Sequence, residues 1–188
     1  MSDLLEVGKF SFNLPLEGRH NAKNLLLALA VAKELNIPWQ PLKKMSVELP
    51  VGRGRRLVMG GVTVLDETYN ASPEAVLAAL EHLAIQPGHR YAVLGTMYEL
   101  GSQSIALHRC VAEKAVSLGL DGLILVVSGP EAEAMSLAAK PMQRFLTVKD
   151  YKEVVLHLKK WLVKGDVVLI KGSRKIGLDR LLESLQED

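Results

Sequence analysis

Two stretches concentrate side chains able to do chemistry: LDETYNASPEA, residues 65–75, and IKGSRKIG, residues 170–177. In the first, the apolar run Val62-Thr63-Val64-Leu65 ends in the carboxylates Asp66 and Glu67, followed by Tyr69 and Asn70. Adjacent side chains on a strand point to opposite faces, so one carboxylate can meet a ligand while the other caps or pairs. Ser72 and Pro73 are the types expected at a helix N-cap and first helical position. In the second stretch, Lys171, Ser173 and Arg174 offer two cations and a hydroxyl, which suit carboxylate oxygens, and Gly172 lets a ligand approach the backbone closely. A charged loop meeting only water has the same composition. Arg53 lies in GRGRR, residues 52–56, beside Arg55 and Arg56. A guanidinium stays charged and donates bidentately, so it suits phosphate oxygens; a solvated basic turn is the alternative. Asn21 and Asn24 are three apart, on one face near a helix start. Their amides both donate and accept, which suits an adenine edge; Asn21 as a plain N-cap is the competing reading.

These residues need a scaffold, and the pattern around them is an alternation of strands and helices. Residues 7–16 suggest a short strand, Ala22 to Leu35 an Ala- and Leu-rich helix ended by Asn36 and Pro38, and Trp39 to Val47 a second short helix. Pro50, Gly52 and Gly54 punctuate the chain and place a domain boundary near residue 50. Arg55–Met59 pairs with Val62–Leu65 across Gly60-Gly61 as a hairpin. Helices follow at 74–84, 104–118, 131–139, 149–162 and 178–185, and strands at 91–94, 123–127, 144–146 and 167–170. The strands after residue 90 are continuous apolar runs, as in strands covered on both faces by crossover helices. The expected fold is α/β: a Rossmann-like, largely parallel sheet with helices on both faces, preceded by a small strand-plus-helices piece. In such a sheet the carboxyl ends share one edge, where open α/β sheets bind ligands. Segments 65–70, 94–99, 127–131 and 170–174 therefore face a common cleft.

Bulk properties narrow the class. The 188 residues carry a formal charge of +2, which argues against a protein that binds nucleic acid through a basic face. One cysteine, Cys110, excludes an internal disulfide framework and points to a reducing, cytoplasmic setting; the expectation for Cys110 is a small buried hydrophobe. No apolar run reaches membrane-spanning length, and the N-terminal MSDLLEVGKF lacks the apolar core of a signal peptide.

The blocks GRHNAKN (18–24), GRGRR (52–56), LDETYNASPEA (65–75), VLGTMYELGSQSIALH (93–108) and VVLIKGSRKIG (167–177) resemble, in order and spacing, the C-terminal part of the Mur ligases. The Tyr-Asn-Ala-x-Pro and Lys-Gly-Ser-Arg strings are similar to the branch that joins D-alanyl-D-alanine to UDP-N-acetylmuramoyl-tripeptide. The resemblance implies residues 1–50 as the tail of a central ATPase domain and residues 51–188 as a whole C-terminal domain that binds the amino acid or peptide. It implies ATP and Mg2+ as cofactors of the complete enzyme, with metal ligands outside this chain. The phosphate-gripping loop G-x-x-x-x-G-K-[ST] does not occur in the 188 residues, so the chain reads as a piece, inactive alone, with MSDLL an added or accidental start.

By the same resemblance Asn21 and Asn24 contact adenine, Arg53 reaches the ATP, and Glu67 contacts the ribose with Asp66 beside it. Tyr69, Asn70, Glu99, Lys171, Ser173 and Arg174 line the substrate side; whether Lys171 or Arg174 touches substrate stays open. Thr96 stands where the family carries an aspartate, which moves any charged role toward Glu99. His108 reads as a core or cap histidine. Two alternatives stand beside the ligase: another Mur or folylpolyglutamate-type ligase, and a non-catalytic nucleotide- or peptide-binding module. An exposed apolar face in residues 1–50 would favour a dimer of the fragment.

Overall fold

The computed structural model describes residues 4–14, 18–44 and 50–186. The chain divides into two compact units, Met1–Leu49 and Pro50–Asp188.

In the first unit, strands β1 (Leu4–Val7) and β2 (Phe10–Asn13) form an antiparallel hairpin. The expected single strand is thus two, because Gly8 adopts φ 59° and reverses the chain after Val7. Residues 15–17 lie outside the described residues. Helix α1 spans Arg19–Glu34 and is preceded by Gly18 as N-cap, so Asn21 sits in the first turn and does not cap it. The expected helix from Trp39 is a 3-10 turn over Gln40–Lys44, and residues 45–49 lie outside the described residues. Phe12, Leu25 and Leu29 form the small core, with Phe10 and Trp39 meeting edge to face at 5.3 Å. Leu27, Val31 and Leu35, four apart, are exposed.

The second unit carries strands β3 (Arg55–Met59), β4 (Val62–Glu67), β5 (Arg90–Gly95), β6 (Gly122–Val126), β7 (Phe145–Thr147) and β8 (Val167–Lys171). Its helices are α2 (Pro73–Ala84), α3 (Ser104–Ser117), α4 (Gly129–Ala139), α5 (Tyr151–Trp161) and α6 (Asp179–Gln186). The sheet order is β3-β4-β8-β5-β6-β7, and only β3 runs antiparallel to its neighbour. Side-chain alternation divides the core in two. Leu65, Leu94, Leu125 and Leu169 face α2, α3 and α4; Val64, Val93, Ile124 and Ile170 face α5 and α6. Ser72 caps α2 by accepting from the Ala75 N–H at 3.3 Å, with Pro73 following, as the sequence predicts. Asp150, not singled out from sequence, caps α5 by accepting from the Lys152 and Glu153 N–H groups.

Register decides where the polar ends lie. Glu67 pairs with Lys171 across β4 and β8, and Lys171 pairs with Leu94 across β8 and β5. The last strand in the chain is therefore inserted between β4 and β5, and three strand ends stand level. Glu67 shares the sheet face of Leu65, and Lys171 that of Leu169, so both side chains emerge on the same side.

Candidate functional site

Asp66 takes the opposite face from Glu67 and is fully buried, 0% exposed. Its carboxylate accepts from the Gly52 N–H at 3.1 Å, the Thr68 N–H at 3.2 Å and the Thr68 hydroxyl at 2.8 Å. The Arg55 guanidinium lies 4.0 Å away. The Tyr69 N–H donates to the Gly52 carbonyl at 3.0 Å. Gly52 has φ 80°, and a Cβ there would sit 2.8 Å from both the Thr68 hydroxyl and the Tyr69 nitrogen. Asp66 therefore ties the Arg53 loop to the turn after β4. This corrects its expected place at a nucleotide: no face of the carboxylate is open, because burial and three donors consume it.

Glu67 is joined to Lys171. The ammonium, 3% exposed, donates to Glu67 Oε2 at 2.9 Å and to the Asn70 carbonyl at 3.0 Å. A buried ammonium needs such partners, because an unpaired charge out of water costs several kcal/mol, of order 5. Lys171, expected on the substrate side, instead faces inward and holds two other segments. The Asn70 side chain is spent locally, Oδ1 accepting from the Ala71 N–H at 2.8 Å.

Arg53 and Arg174 converge on Tyr69. The Arg53 guanidinium carbon is 4.0 Å from the ring centroid and that of Arg174 is 5.5 Å from it. The ring borders a cleft of about 240 Å³ lined by Pro50, Val51, Thr68, Tyr69, Arg174 and Asp179. Hydrogen bonding and charge from Arg53, with the charge of Arg174 added, hold the Tyr69 phenol below its ordinary pKa. Burial pushes the Tyr91 phenol up. The neutral phenol is the uncharged form, so nearby cations favour losing its proton. In an ultraviolet or NMR titration Tyr69 should ionise before Tyr91, and Arg53→Gln should move Tyr69 up. The reverse order, or no response to the substitution, would remove Arg53 from the ring.

At the end of β8, Gly172 lies against the protein itself, not a ligand. A Cβ there would meet Leu178 at 2.8 Å and the Gly95 Cα at 3.1 Å. Ser173 is buried, and its N–H donates to the Thr96 carbonyl at 3.3 Å, joining the ends of β8 and β5. Glu99 is exposed with φ 66°, and Lys175 Nζ lies 5.5 Å from the neighbouring Tyr98 ring. His108 is fully buried: Nε2 accepts from the Met97 N–H at 3.0 Å, and Nδ1 lies 2.8 Å from the Ser104 carbonyl. Accepting at Nε2 leaves the ring proton on Nδ1 to donate to that carbonyl, so the ring is occupied in supporting the β5 loop. Cys110 is exposed on α3, not buried as expected.

A family model described as the Mur ligase, glutamate ligase domain, covers residues 52–174. The chain belongs to the Mur ligase family. It is 43% identical over 178 residues to the UDP-N-acetylmuramoyl-tripeptide–D-alanyl-D-alanine ligase of Synechocystis, covering 93% of this chain and 39% of that protein. Identity to the Escherichia coli ligase of the same name is 32% over 186 residues, covering 96% and 40%. Among solved structures, the MurF ligase of Thermotoga maritima in complex with ADP has a TM-score of 0.81 at 29% identity, over 98% of this chain and 45% of that one. The chain thus spans about two fifths of the length of the curated relatives it matches.

Within this Mur ligase domain the structure brings Arg53, Glu67, Tyr69, Asn70, Lys171 and Arg174 to one stretch of the sheet's carboxyl edge. Asn21, half-buried, and Asn24, exposed, belong to the other unit. Asp179 and Val51 line the cleft without having been singled out from sequence, and Pro50, read there only as a boundary marker, lines it too. Thr68 was passed over too, although an aspartate two residues before a threonine is a recognisable side-chain-to-backbone turn. Among the described residues no group of three or more His, Cys, Asp or Glu side chains can hold a metal ion, and no helix is long and apolar enough to cross a membrane.

Proposed function

We propose that this chain is the C-terminal portion of a cytoplasmic, ATP-dependent ligase that joins D-alanyl-D-alanine to UDP-N-acetylmuramoyl-tripeptide for peptidoglycan. The observation that carries the reading is the convergence of Arg53, Tyr69 and Arg174 with the Glu67–Lys171 pair at one sheet edge. The names of the relatives at 43% and 32% identity supply the substrates.

In such a reaction a substrate carboxylate takes the terminal phosphoryl group of ATP, releasing ADP. The dipeptide amine then displaces phosphate and forms the amide. Little covalent chemistry is left to the protein, and alignment with charge stabilisation dominates. Arg53 and Arg174 suit that task as fixed cations. Glu67 keeps one carboxylate oxygen beside Lys171 and has its side chain 24% exposed, which leaves it able to accept from a sugar hydroxyl. Asn21 and Asn24 remain candidates for the adenine. Ser173 and Glu99 are assigned to the substrate side with Tyr69 and Asn70. The carboxylates at this edge do not form a metal cradle, so no step through Mg2+ is assigned to these residues.

The test is a chimera. Residues 18–186 replace the equivalent part of the Synechocystis relative, and amide formation and ADP release are followed. The chimera should form the peptide bond, while the 188-residue chain alone should release no ADP above background. A folded chimera that releases neither product while its parent is active would overturn the proposal. So would real ATP turnover by the chain alone.

A further inference from the structure

We infer that the outer face of α5 is a docking surface for an anionic membrane, made of lysines with a leucine set among them. Lys152, Leu156, Lys159 and Lys160 follow the i, i+4, i+7, i+8 spacing of one helical face, and all four are exposed, Leu156 at 62%. The opposite face is occupied: Val154 and Leu158 are buried in one cluster with Val93, Ile124 and Ile170 of the sheet. Residues 140–164 carry seven lysines and arginines against two acids, a formal +5, so the other 163 residues total −3. Those two acids serve the helix start, Asp150 accepting from the Lys152 and Glu153 N–H groups and Glu153 from the Lys149 N–H. The small net charge of the whole chain thus conceals one strongly basic segment.

The helix dipole does not account for the pattern. It favours Lys159 and Lys160 in the last turn and disfavours Lys152 in the first. Charge and chemistry select the partner. A plane of anionic headgroups meets all three lysines of the face at once, and each adds its own attraction. The four-carbon lysine stems and Leu156 then reach the boundary between headgroups and acyl chains. Against the phosphates of a nucleic acid the same leucine gains nothing, because that binding is electrostatic. Just past the helix, Val163, 60% exposed, and the exposed Lys164 repeat the pairing of apolar with basic. Because α5 leads into β8, Lys159 and Lys160 lie toward the amino ends of the parallel strands, and the carboxyl edge that carries Arg174 stays clear of a surface docked there. The inference uses none of the residues assigned to the ligase site and stands apart from that reading.

The test is co-sedimentation of the 188-residue chain with vesicles at low salt. Vesicles of equal parts phosphatidylglycerol and phosphatidylcholine should carry the chain down, pure phosphatidylcholine should not, and added salt should release it. Lys152→Gln, Lys159→Gln and Lys160→Gln together should weaken the partition about a hundredfold, roughly fivefold for each charge. Leu156→Ser should weaken it about fivefold with every charge in place. All four side chains are exposed, so circular dichroism and an unshifted unfolding midpoint show that each variant is folded. The exposed apolar face of α1 is the internal control: Leu27→Ser with Val31→Ser should leave vesicle binding as it was. If that pair abolishes binding, the membrane is held by α1 and the inference fails. It fails also if the triple lysine variant binds like the parent, or if the two vesicle compositions bind alike. A duplex DNA probe at equal phosphate concentration is the competing arm: tighter binding to DNA than to the anionic vesicles, unaffected by Leu156→Ser, would make the face a nucleic-acid surface and overturn the proposal. Each of these failures can occur with the ligase chimera fully active, so the two readings are tested separately.

Discussion

Replacing Lys171 by alanine should lower the stability of the α/β unit by about 3 kcal/mol, the usual cost of removing one partner from a buried ion pair. The ammonium is 3% exposed and bonds both Glu67 and the Asn70 carbonyl, so its loss leaves a carboxylate and a carbonyl without their donor. Glu67 keeps 24% of its side chain in contact with solvent, which moderates the penalty from its side. The damage should be local as well as global: amide exchange should quicken over 63–71 and 167–171, where β4 and β8 pair in register. Adding Glu67→Gln to Lys171→Met should recover part of the loss, because a neutral pair has no unpaired charge to bury. Denaturant unfolding with hydrogen exchange decides it. Unchanged stability in Lys171→Ala would mean the pair does not form in solution.

Asp66→Asn should cost a similar amount, about 3 kcal/mol, although it alters only one atom. The carboxylate accepts from the Gly52 N–H, the Thr68 N–H and the Thr68 hydroxyl in a fully buried position. An amide brings its own N–H donors against those donors, and one oxygen cannot serve all three. The Gly52 and Thr68 amides should lose exchange protection first. Because the same contacts hold the Arg53 loop, the Arg53–Tyr69 stacking should loosen and the Tyr69 pKa should rise toward its ordinary value. A variant with wild-type stability and an unmoved Tyr69 would refute this role for Asp66.

Asp66 and Glu67 also mark the limit of reading along the chain. Their adjacency predicts opposite faces, and opposite faces are what the structure has. It does not predict which face is the closed one. That depends on β8, which arrives 104 residues after Glu67 and places Lys171 beside it. Gly172 shows the same limit: it reads as room for a ligand in a charged loop, yet it packs against Gly95 at the end of β5. Cys110 reads as a small buried hydrophobe on a helix and is exposed, because α3 buries the stripe His108, Val111, Ala112 and Ala115, which leaves position 110 outside.

What the amino-acid sequence by itself determined here is the elements of the second unit, the α/β class and the family. These follow from local terms: apolar periodicity, helix caps, turn glycines, and five motif blocks in order. The sheet order β3-β4-β8-β5-β6-β7 and the side-chain partners across it were decided only in three dimensions. A strand inserted between its predecessors brings together residues with no short-range signature of one another. The Lys171–Glu67 pair and the meeting of Arg53 and Arg174 on Tyr69 are energies of long-range contact, and those exist only once the chain has folded.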